Sequence, residues 1–509
     1  MGSPAAQQPG ALAPVPVYPS TLDKCKDVLL ALSLASLSYS VAWQRIIFGT
    51  PLLMPRWTWR DPAALALNVA WLSLVFWSLI YFSRRLRWTR VQLHALLFLI
   101  PGAIMLNLLR QLNLRPAKVV ASNPHQVLFA FAMGATVFVY AVSKWGSKLV
   151  PVIELVIMAM VATLPLNFAQ AVAVVLRQPP RPRLAVALPP NSGPRARVVW
   201  IIFDETDLGL AFLHRPTDLR LPQMDRLRSQ SLFAQNAYEA DTETQEAMPS
   251  LTTGKQVVRS EPHGPNQLLI AFPGSQKPVD WGAQINVFAA ARELGFNVGI
   301  VGWYLPYCRI FATVLTSCYW VSGNTEVLGF QPDFWWSVAF QLESLNPLGS
   351  RQMQIRRYDM LMKKSRELIS DDRLGLVLLH LPVPHGPAVY DRRSGHMTWS
   401  NLKSNWYFDN LALMDRALGE IRTTMERSGG WDKTTVIVTS DHSLRLFTMP
   451  HDYDPRVPFM VKLAGQEDSV NYSEPFNSRI TKDLILAVLK GDITHPGDLQ
   501  VWLHRVEHQ

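Results

Sequence analysis

Five long apolar runs, all within the first 180 residues, constrain this chain more than any other feature of its sequence. Each run approaches the ~20 residues that an α-helix needs to cross a hydrocarbon core about 30 Å thick. We therefore predict an N-terminal transmembrane bundle of five helices over residues 27–178. The runs are Val28–Phe48, Ala63–Phe82, Val91–Leu109, Val127–Val142 and Leu149–Leu176.

Charge separates this apolar part from the rest of the chain. The 509 residues carry a formal net charge of +10, yet residues 1–180 alone hold 15 Lys and Arg against 4 Asp and Glu. The polar part has no basic surplus with which to neutralise phosphates, so we do not expect a nucleic-acid partner. A basic and apolar segment is typical of a membrane protein instead.

The basic residues also predict how the spans are oriented. The segments on the same side of the membrane as the N-terminus carry eight basic residues, and the segments on the other side carry five. The positive-inside bias then places the N-terminus in the cytoplasm and everything beyond residue 178 outside. No small-residue cleavage site follows the first run, which we therefore predict to be an uncleaved anchor. The eight residues are Lys24, Lys26, Arg84, Arg85, Arg87, Arg90, Lys144 and Lys148.

Composition divides the remainder of the chain. The Ala-, Pro- and Gln-rich residues 1–26 predict a disordered tail, and the proline-rich residues 179–197 predict a stiff linker. Residues 198–509 then form an outer domain. Cys308 and Cys318 both lie in that domain, where an oxidising compartment would allow them to form a disulfide.

The outer domain reads as α/β with a largely parallel sheet, because short β-branched runs alternate with amphipathic helical stretches. Three apolar runs, 198–203, 374–379 and 434–439, end directly in acids or histidines. In open α/β sheets the binding crevice lies outside the carboxyl ends of the strands, so these side chains are expected to converge. Acids and imidazoles together are the ligands that a zinc-like cation prefers. Each alone could equally be a helix cap or a solvated loop residue.

A nucleophile for such a site is expected in residues 241–254, which read as a loop entering a short helix that Gly254 terminates. The first N–H groups of a helix bind anions, so a phosphate held there would lie against a threonine hydroxyl. The alternative is that Thr242 or Thr244 is simply the N-cap.

At these residues the sequence resembles the alkaline phosphatase superfamily, and within it the membrane-bound phosphoethanolamine transferases that modify lipid A and other envelope glycans. The resemblance spans the whole chain, from the five spans to an outer sulfatase-like catalytic domain with a mostly parallel central sheet. It implies that Glu205, in Asp204-Glu205-Thr206, occupies a metal-ligand position, and that Thr244, five residues before Pro249, is the nucleophile and binds the metal through its Oγ.

Further motifs extend the resemblance. Asp441 and His442 match the remaining primary metal ligands, and His385, in Pro384-His385-Gly386-Pro387, matches a conserved-site histidine. His451 resembles the later histidine of the family, and Asn286 resembles a contact to the phosphate or headgroup. His385 and His451 are expected to orient the headgroup, bind a second metal, or shuttle the proton between leaving group and acceptor. The implied cofactor is Zn²⁺, with Mn²⁺ or Ca²⁺ as alternatives.

Several positions depart from the transferase pattern. Asp204 and Ser443 each replace a glycine, and the acidic pair Asp204-Glu205 is closer to the calcium-binding sulfatases. The sulfatases require a Cys or Ser before Pro-Ser-Arg, where this chain has Ala247-Met248-Pro249-Ser250-Leu251. Conversion to formylglycine is therefore not expected.

The resemblance predicts a multi-pass protein of the bacterial inner membrane with its catalytic domain in the periplasm. It would move phosphoethanolamine from a phospholipid donor to a glycan or lipid-glycan acceptor through a covalent phospho-threonine. The alternatives are a phosphoglycerol transferase, a sulfatase-like phosphodiesterase, or an inactive membrane scaffold. The helix around Trp406–Asn410 is interpreted as core packing, and Trp303 and Tyr304 either stack on a sugar or pack.

Overall fold

A computed structural model describes residues 21–50, 52–53, 56–85, 124–189, 196–275, 277–322, 333–343, 345, 349–399, 405–445 and 453–507. The predicted third span, 91–109, and His451 lie outside these residues. The helices are α1 (Thr21–Ser38), α2 (Ser40–Phe48), α3 (Arg60–Arg85), α4 (Pro124–Ala159), α5 (Thr163–Leu176), α6 (Pro222–Arg228), α7 (Thr244–Thr253), α8 (Val287–Glu293), α9 (Tyr307–Ile310), α10 (Phe334–Glu343), α11 (Gly349–Ile369), α12 (Trp406–Arg427), α13 (Thr481–Lys490) and α14 (Pro496–Glu507).

A five-helix bundle is not confirmed. Within the described residues, α3 contains one apolar stretch long enough to cross a membrane, and Pro151–Leu176 is a second. The pair α1 and α2 would add a third span, broken by a bend of 59°. At this bend Tyr39 leaves the helical conformation and the Ser38 hydroxyl donates to Leu34 O at 2.8 Å, a bond that often bends helices.

Two predicted boundaries in this part of the chain differ from the structure. The predicted tail, 1–26, overlaps α1, which already begins at Thr21. The predicted connection between the fourth and fifth spans, at Lys144 and Lys148, lies inside the continuous helix α4. Neither lysine breaks a helix, because both are good helix formers and their long side chains can reach away from an apolar face.

The outer domain is built on an eight-stranded sheet in which only β13 runs against the other strands, as the mostly parallel prediction required. The order is β14-β2-β13-β12-β1-β9-β7-β8. The strands are β1 (Val198–Phe203), β2 (Leu232–Ala234), β3 (Ala237–Tyr238), β4 (Arg259–His263), β5 (Gln267–Ala271), β6 (Val279–Asp280), β7 (Asn297–Trp303), β8 (Ser317–Val321), β9 (Leu374–Leu381), β10 (Tyr390–Asp391), β11 (His396–Met397), β12 (Thr435–Thr439), β13 (Phe459–Lys462), β14 (Val470–Tyr472) and β15 (Phe476–Asn477).

Helices cover both faces of this sheet. All six residues of β1 are buried, and they alternate between two apolar cores, as expected for a central strand with covered faces. Helices α7, α8, α13 and α14 contribute to one core, and α6, α11 and α12 contribute to the other. The three-layer arrangement fixes β1 and its two parallel neighbours, β9 and β12, rigidly at the centre.

The two parts of the chain dock onto each other. Leu52 and Leu53, between α2 and α3, are buried in the outer domain's core, where Arg309 and Ser322 donate to their carbonyl oxygens. The predicted linker also lies along the outer domain, because Leu188 N donates to Asn297 Oδ1 at 2.8 Å.

Replacing Leu52 by alanine tests this docking. The Leu52 side chain is fully buried, so Leu52→Ala is expected to lower the free energy of unfolding of the outer domain by about 2–5 kcal/mol. Leu213→Ala is the matched control, because Leu213 is 41% exposed. Both variants are measured as full-length proteins in detergent, by heating them and using proteolytic cleavage of the outer domain as the readout of its unfolding. Equal and small losses would contradict the docking.

Candidate active site

Three adjacent parallel strands place the reactive side chains at one edge of the sheet. Strand β1 pairs with β9 on one side and with β12 on the other, so their carboxyl ends lie together. Asp204 directly follows β1, and Asp441 follows β12 after one residue. The convergence predicted from three separate strand ends is therefore present in the fold.

Asp204, Asp441 and His442 form a cluster able to hold a metal ion. One ligand atom from each lies within 4.8 Å of the others, and all three residues are buried. His442 Nε2 is 3.5 Å from Asp204 Oδ1 and 3.6 Å from Asp441 Oδ2. The Nδ1 atom of His442 lies 2.8 Å from Ser443 O, an acceptor that keeps the proton on Nδ1 and leaves the Nε2 lone pair facing the cluster.

The charge of this cluster is not balanced by the protein. Neither carboxylate oxygen of Asp204 has a hydrogen-bond partner, although both are buried. Burial and the neighbouring carboxylates of Asp441 and Glu205 raise the pKa of Asp204 well above its usual range. A buried carboxylate without partners is costly, and a divalent cation would supply the missing charge. Two carboxylates and an imidazole therefore fit a divalent metal.

The hydroxyl of Thr244 reaches this cluster. Thr244 is the first residue of α7, and its hydroxyl donates to Asp441 Oδ2 at 2.8 Å. His442 Nε2 lies 3.3 Å from the Thr244 hydroxyl oxygen. As predicted, the helix ends at Gly254, which has the left-handed φ of 71° that glycine adopts without strain.

Ser440 and Ser443 hold the turn that carries the cluster. Ser440 Oγ accepts from Thr206 N at 2.8 Å and lies 2.7 Å from Phe203 O, which ties β12 to the end of β1. Ser443, which replaces a glycine of the transferase pattern, donates to Asp207 Oδ2 at 3.1 Å. Its hydroxyl therefore has a local structural use.

Glu205 lies beside the cluster rather than in it. Its φ of 66° is left-handed, and its backbone N–H donates to Asp441 Oδ1 at 3.2 Å. Its carboxylate lies 3.6 Å from Arg445 Nε and 3.9 Å from His385 Nε2. The structure thus brings Glu205 next to the predicted metal ligands but gives its carboxylate a cationic neighbour, Arg445, which the sequence analysis missed.

His380 directly follows the run 374–379 and was expected at this edge of the sheet, but the sequence analysis assigned it no role. It lies on β9, is fully buried, and contacts Tyr307 Oη through Nδ1 at 2.7 Å. Its Nε2 is 4.0 Å from Asp441 Oδ2 and makes no hydrogen bond. Burial lowers the pKa of His380 to about 4, so it is neutral at pH 7. An imidazole within an otherwise apolar central strand was the signal that could have identified it.

Helix α12 positions the site, which corrects its interpretation as core packing alone. Tyr407 Oη accepts from Asp207 N at 3.0 Å and donates to Glu205 O at 2.8 Å. The Asn410 amide donates to His385 O at 3.2 Å and to Pro384 O at 3.1 Å. Apolar periodicity identified the buried face of α12 but could not show which strand ends its polar side chains bind.

Two further candidates have structural roles. Asn286 is the N-cap of α8, where its Oδ1 accepts from two backbone N–H groups and its amide donates to Gln284 O. These bonds occupy the side chain that was predicted to bind the headgroup, so we assign it to capping. Trp303 is only 5% exposed and packs on His385 with ring centroids 5.3 Å apart, which leaves no open face for a sugar.

Tyr304 packs as well, since its hydroxyl accepts from Gln245 at 2.6 Å. Cys308 and Cys318 are joined as a disulfide, and Cys25 is a free, exposed thiol.

Comparison with known proteins identifies the outer domain. The sequence profile of the sulfatase family matches residues 196–490, more than half of the chain. No curated protein matches the sequence.

Among solved structures, a sulfatase from Pseudoalteromonas sp. is 13% identical with a TM-score of 0.42, covering 61% of this chain and 74% of its own. A phosphonate monoester hydrolase from Silicibacter pomeroyi is 12% identical with a TM-score of 0.40, covering 58% and 73%. A Vibrio parahaemolyticus protein of the alkaline phosphatase superfamily is 16% identical with a TM-score of 0.37, covering 61% and 70%.

Asp204→Asn is expected to have opposite effects on metal binding and on metal-free stability. It removes a ligand, so metal content should fall, and it removes a buried charge without partners, so the chelated protein should unfold at a higher temperature than chelated wild type. Metal analysis of the purified protein, and thermal unfolding after chelation, measure the two effects. Asp415→Asn is the matched control, since Asp415 is a buried acid outside the cluster. Wild-type metal content in Asp204→Asn would contradict the assignment.

Proposed function

The chain belongs to the sulfatase family of the alkaline phosphatase superfamily, and on that premise we propose that it is a membrane-bound phosphoethanolamine transferase. The donor would be a phospholipid, and the acceptor a glycan or lipid-glycan of the bacterial envelope. The outer domain would then lie in the periplasm, above the inner membrane. Members of the family are hydrolytic enzymes, and the transfer specificity is the part that we propose.

One observation carries the proposal: the Thr244 hydroxyl, at the start of α7, donates to Asp441 of the acidic cluster. In the sulfatase pattern the nucleophile precedes Pro-Ser-Arg, which corresponds here to Ala247, a fully buried side chain without a nucleophilic atom. Thr244, one turn earlier, instead points its hydroxyl at Asp441. A threonine at a helix N-terminus supports a phosphoryl nucleophile, since the helix N–H groups stabilise the oxygens of the bound phosphate.

In the first step Thr244 Oγ attacks the phosphorus of the donor, and the P–O bond to diacylglycerol breaks. The hydroxyl proton passes to Asp441 Oδ2, the atom to which it already points. His385 gives a proton to the departing diacylglycerol oxygen, which leaves as an alcohol. Phosphoethanolamine is then esterified to Thr244.

In the second step an acceptor hydroxyl attacks the same phosphorus and passes its proton to His385. The bond from phosphorus to Thr244 breaks, and the threonine oxygen recovers its proton from Asp441. Both carriers thus return to their starting states. Asp204, Asp441 and His442 would hold the divalent cation, for which we propose Zn²⁺; when bound it supplies positive charge that stabilises the negative oxygens.

Arg445 would bind the donor phosphate. Its guanidinium lies between Glu205 and Glu243, and its side chain remains 25% exposed at the mouth of the site. Although burial opposes ionisation of Asp441, hydrogen bonds from the Thr244 hydroxyl and the Glu205 N–H hold the pKa of that carboxyl below its usual value. A site with ionised acids needs a cation near the entering phosphate, and Arg445 is positioned to provide it.

The apolar helices favour a lipid donor. A transferase that takes its donor from a bilayer needs its nucleophile held near that surface, and α3 and Pro151–Leu176 are each apolar and long enough to span one. Sulfatase-like hydrolysis remains the second candidate, because the matched family consists of hydrolases. Water would then take the place of the acceptor hydroxyl in the second step.

Covalent trapping tests the nucleophile and the donor together. The purified protein, incubated with phosphatidylethanolamine in detergent without acceptor, is expected to carry phosphoethanolamine on the peptide that contains Thr244, as measured by mass spectrometry. Thr244→Ala should lose the adduct while retaining metal, because the cluster keeps its three other residues. An adduct in Thr244→Ala would remove this residue as the nucleophile. Wild-type label from phosphatidylglycerol instead would identify a phosphoglycerol transferase, and free phosphoethanolamine would identify hydrolysis.

Arg445 variants test phosphate recognition. Arg445→Ala is expected to lower kcat/KM for the phospholipid donor by on the order of 10²-fold, because the guanidinium charge is lost near the entering phosphate. Arg445→Lys should recover part of the loss, because lysine restores the positive charge but not the planar guanidinium that can bind two phosphate oxygens at once. Arg373→Ala is the control, because Arg373 precedes β9 and therefore lies at the opposite edge of the sheet. An unchanged kcat/KM in Arg445→Ala would exclude the role.

A further inference from the structure

Helix α10 of the outer domain has its polar and apolar sides reversed relative to a water-soluble helix. Ser337 and Gln341, one turn apart, are buried at 3% and 1% exposure. On another side of the helix, Trp335 is 71% exposed and Leu342 is 37% exposed, with Ala339 exposed between them. Surface helices in water bury their apolar stripe and expose polar residues, so this pattern indicates an apolar surrounding.

The buried polar side of α10 binds the start of α3, one of the candidate spans. The amide of Asn68 donates to Gln341 Oε1 and to Val338 O, each at 3.0 Å. Gln341 in turn donates to Asp61 O at 3.1 Å, and Ser337 Oγ lies 3.4 Å from Asp61 Oδ1. Polar side chains in a membrane region face protein neighbours in this way, because lipid offers them no hydrogen-bond partner.

The position of α10 along α3 fixes the depth of its apolar side. The contacts join α10 to residues 61–68, the first part of the span Arg60–Phe82. Trp59, just before that span, is 67% exposed, and the Arg60 guanidinium lies 6.0 Å from its ring centroid. Tryptophan and arginine are enriched where a span meets the membrane surface, so Trp335 lies near the same level.

We propose that α10 is an interfacial membrane helix, with Trp335, Ala339 and Leu342 inserted among the lipids of the leaflet that faces the outer domain. The occupant of this side is the bilayer itself, because α10 is packed on a helix that would be surrounded by acyl chains. A helix of this kind lies in the interface plane with its apolar side a few ångströms below the headgroups. The outer domain thereby has a membrane contact of its own. The inference rests on the proposed membrane location and is independent of the reaction catalysed.

Collision accessibility of spin labels tests this inference on the full-length protein in phosphatidylcholine bilayers. A nitroxide is attached to Trp335→Cys or Leu342→Cys in a Cys25→Ser background, where the remaining cysteines are paired in the disulfide. Ile285→Cys and Val501→Cys are matched controls, since these apolar residues of the outer domain are 78% and 60% exposed. Two positions on α10 keep the test valid if one variant fails to fold.

Both α10 labels are expected to collide with oxygen several-fold more often, and with a water-soluble nickel chelate several-fold less often, than the two control labels. Nickel accessibility equal to that of the controls would overturn the proposal, because the apolar side would then face water. Low accessibility to both reagents would also overturn it, since a protein surface or a second copy of the chain would then cover the helix. No arm of the experiment measures transfer, so its failure is distinguishable from failure of the proposed reaction.

Discussion

Asp204 and Asp441 lie buried side by side with His442, and the rest of the site depends on keeping these charges together. Each buried ion costs several kcal/mol of desolvation in a protein interior unless its partners compensate. The protein compensates Asp441 well, through the Thr244 hydroxyl and backbone N–H groups of Glu205 and His442. Asp204 receives no comparable hydrogen bond, so the arrangement is stable only with a cation or a proton at that position.

The fold provides the rigidity that such an arrangement needs. Strands β9, β1 and β12 are central and parallel, and helices cover both of their faces, so packing on each side holds the strand ends together. The site still requires unfavourable backbone conformations, because Glu205 and Tyr304, which lie two residues and one residue beyond a strand, both have φ of 66°. Left-handed conformations of such residues cost about 1–3 kcal/mol each and persist only where packing enforces them. Tyr407 supplies part of this enforcement by binding Glu205 O.

Sequence patterns predicted the structural features that are determined by residues close together in the chain. The strand 198–203, the helix that begins at Thr244, and the left-handed Gly254 all follow from local composition and chain chemistry. The sequence also predicted that Asp204, Thr244, Asp441 and His442 lie close together, because the carboxyl ends of parallel strands converge in an open sheet. Sequence patterns could not show that the Glu205 carboxylate lies beside the cluster of Asp204, Asp441 and His442 rather than in it. Two consecutive acids point in different directions, and the left-handed conformation of Glu205 determines which of the two faces the cluster. Likewise His380 and Tyr407 act through partners that are distant in sequence, and no periodicity encodes such pairs.

The same limit explains why the five-span prediction is not confirmed, whereas the mostly parallel sheet of the outer domain is. Apolar length identifies a helix that can cross a membrane, but it does not tell whether two apolar runs are separated by a loop or joined in one helix such as α4. Nor does it identify α10, which is shorter than a span and belongs to the outer domain by sequence position. Its character follows only from seeing Ser337 and Gln341 buried against α3 while Trp335 is exposed. With Leu52 buried in the outer domain and α10 packed on α3, each part of the chain contributes to the other, and this reciprocal docking holds the acidic cluster in a fixed relation to the apolar helices.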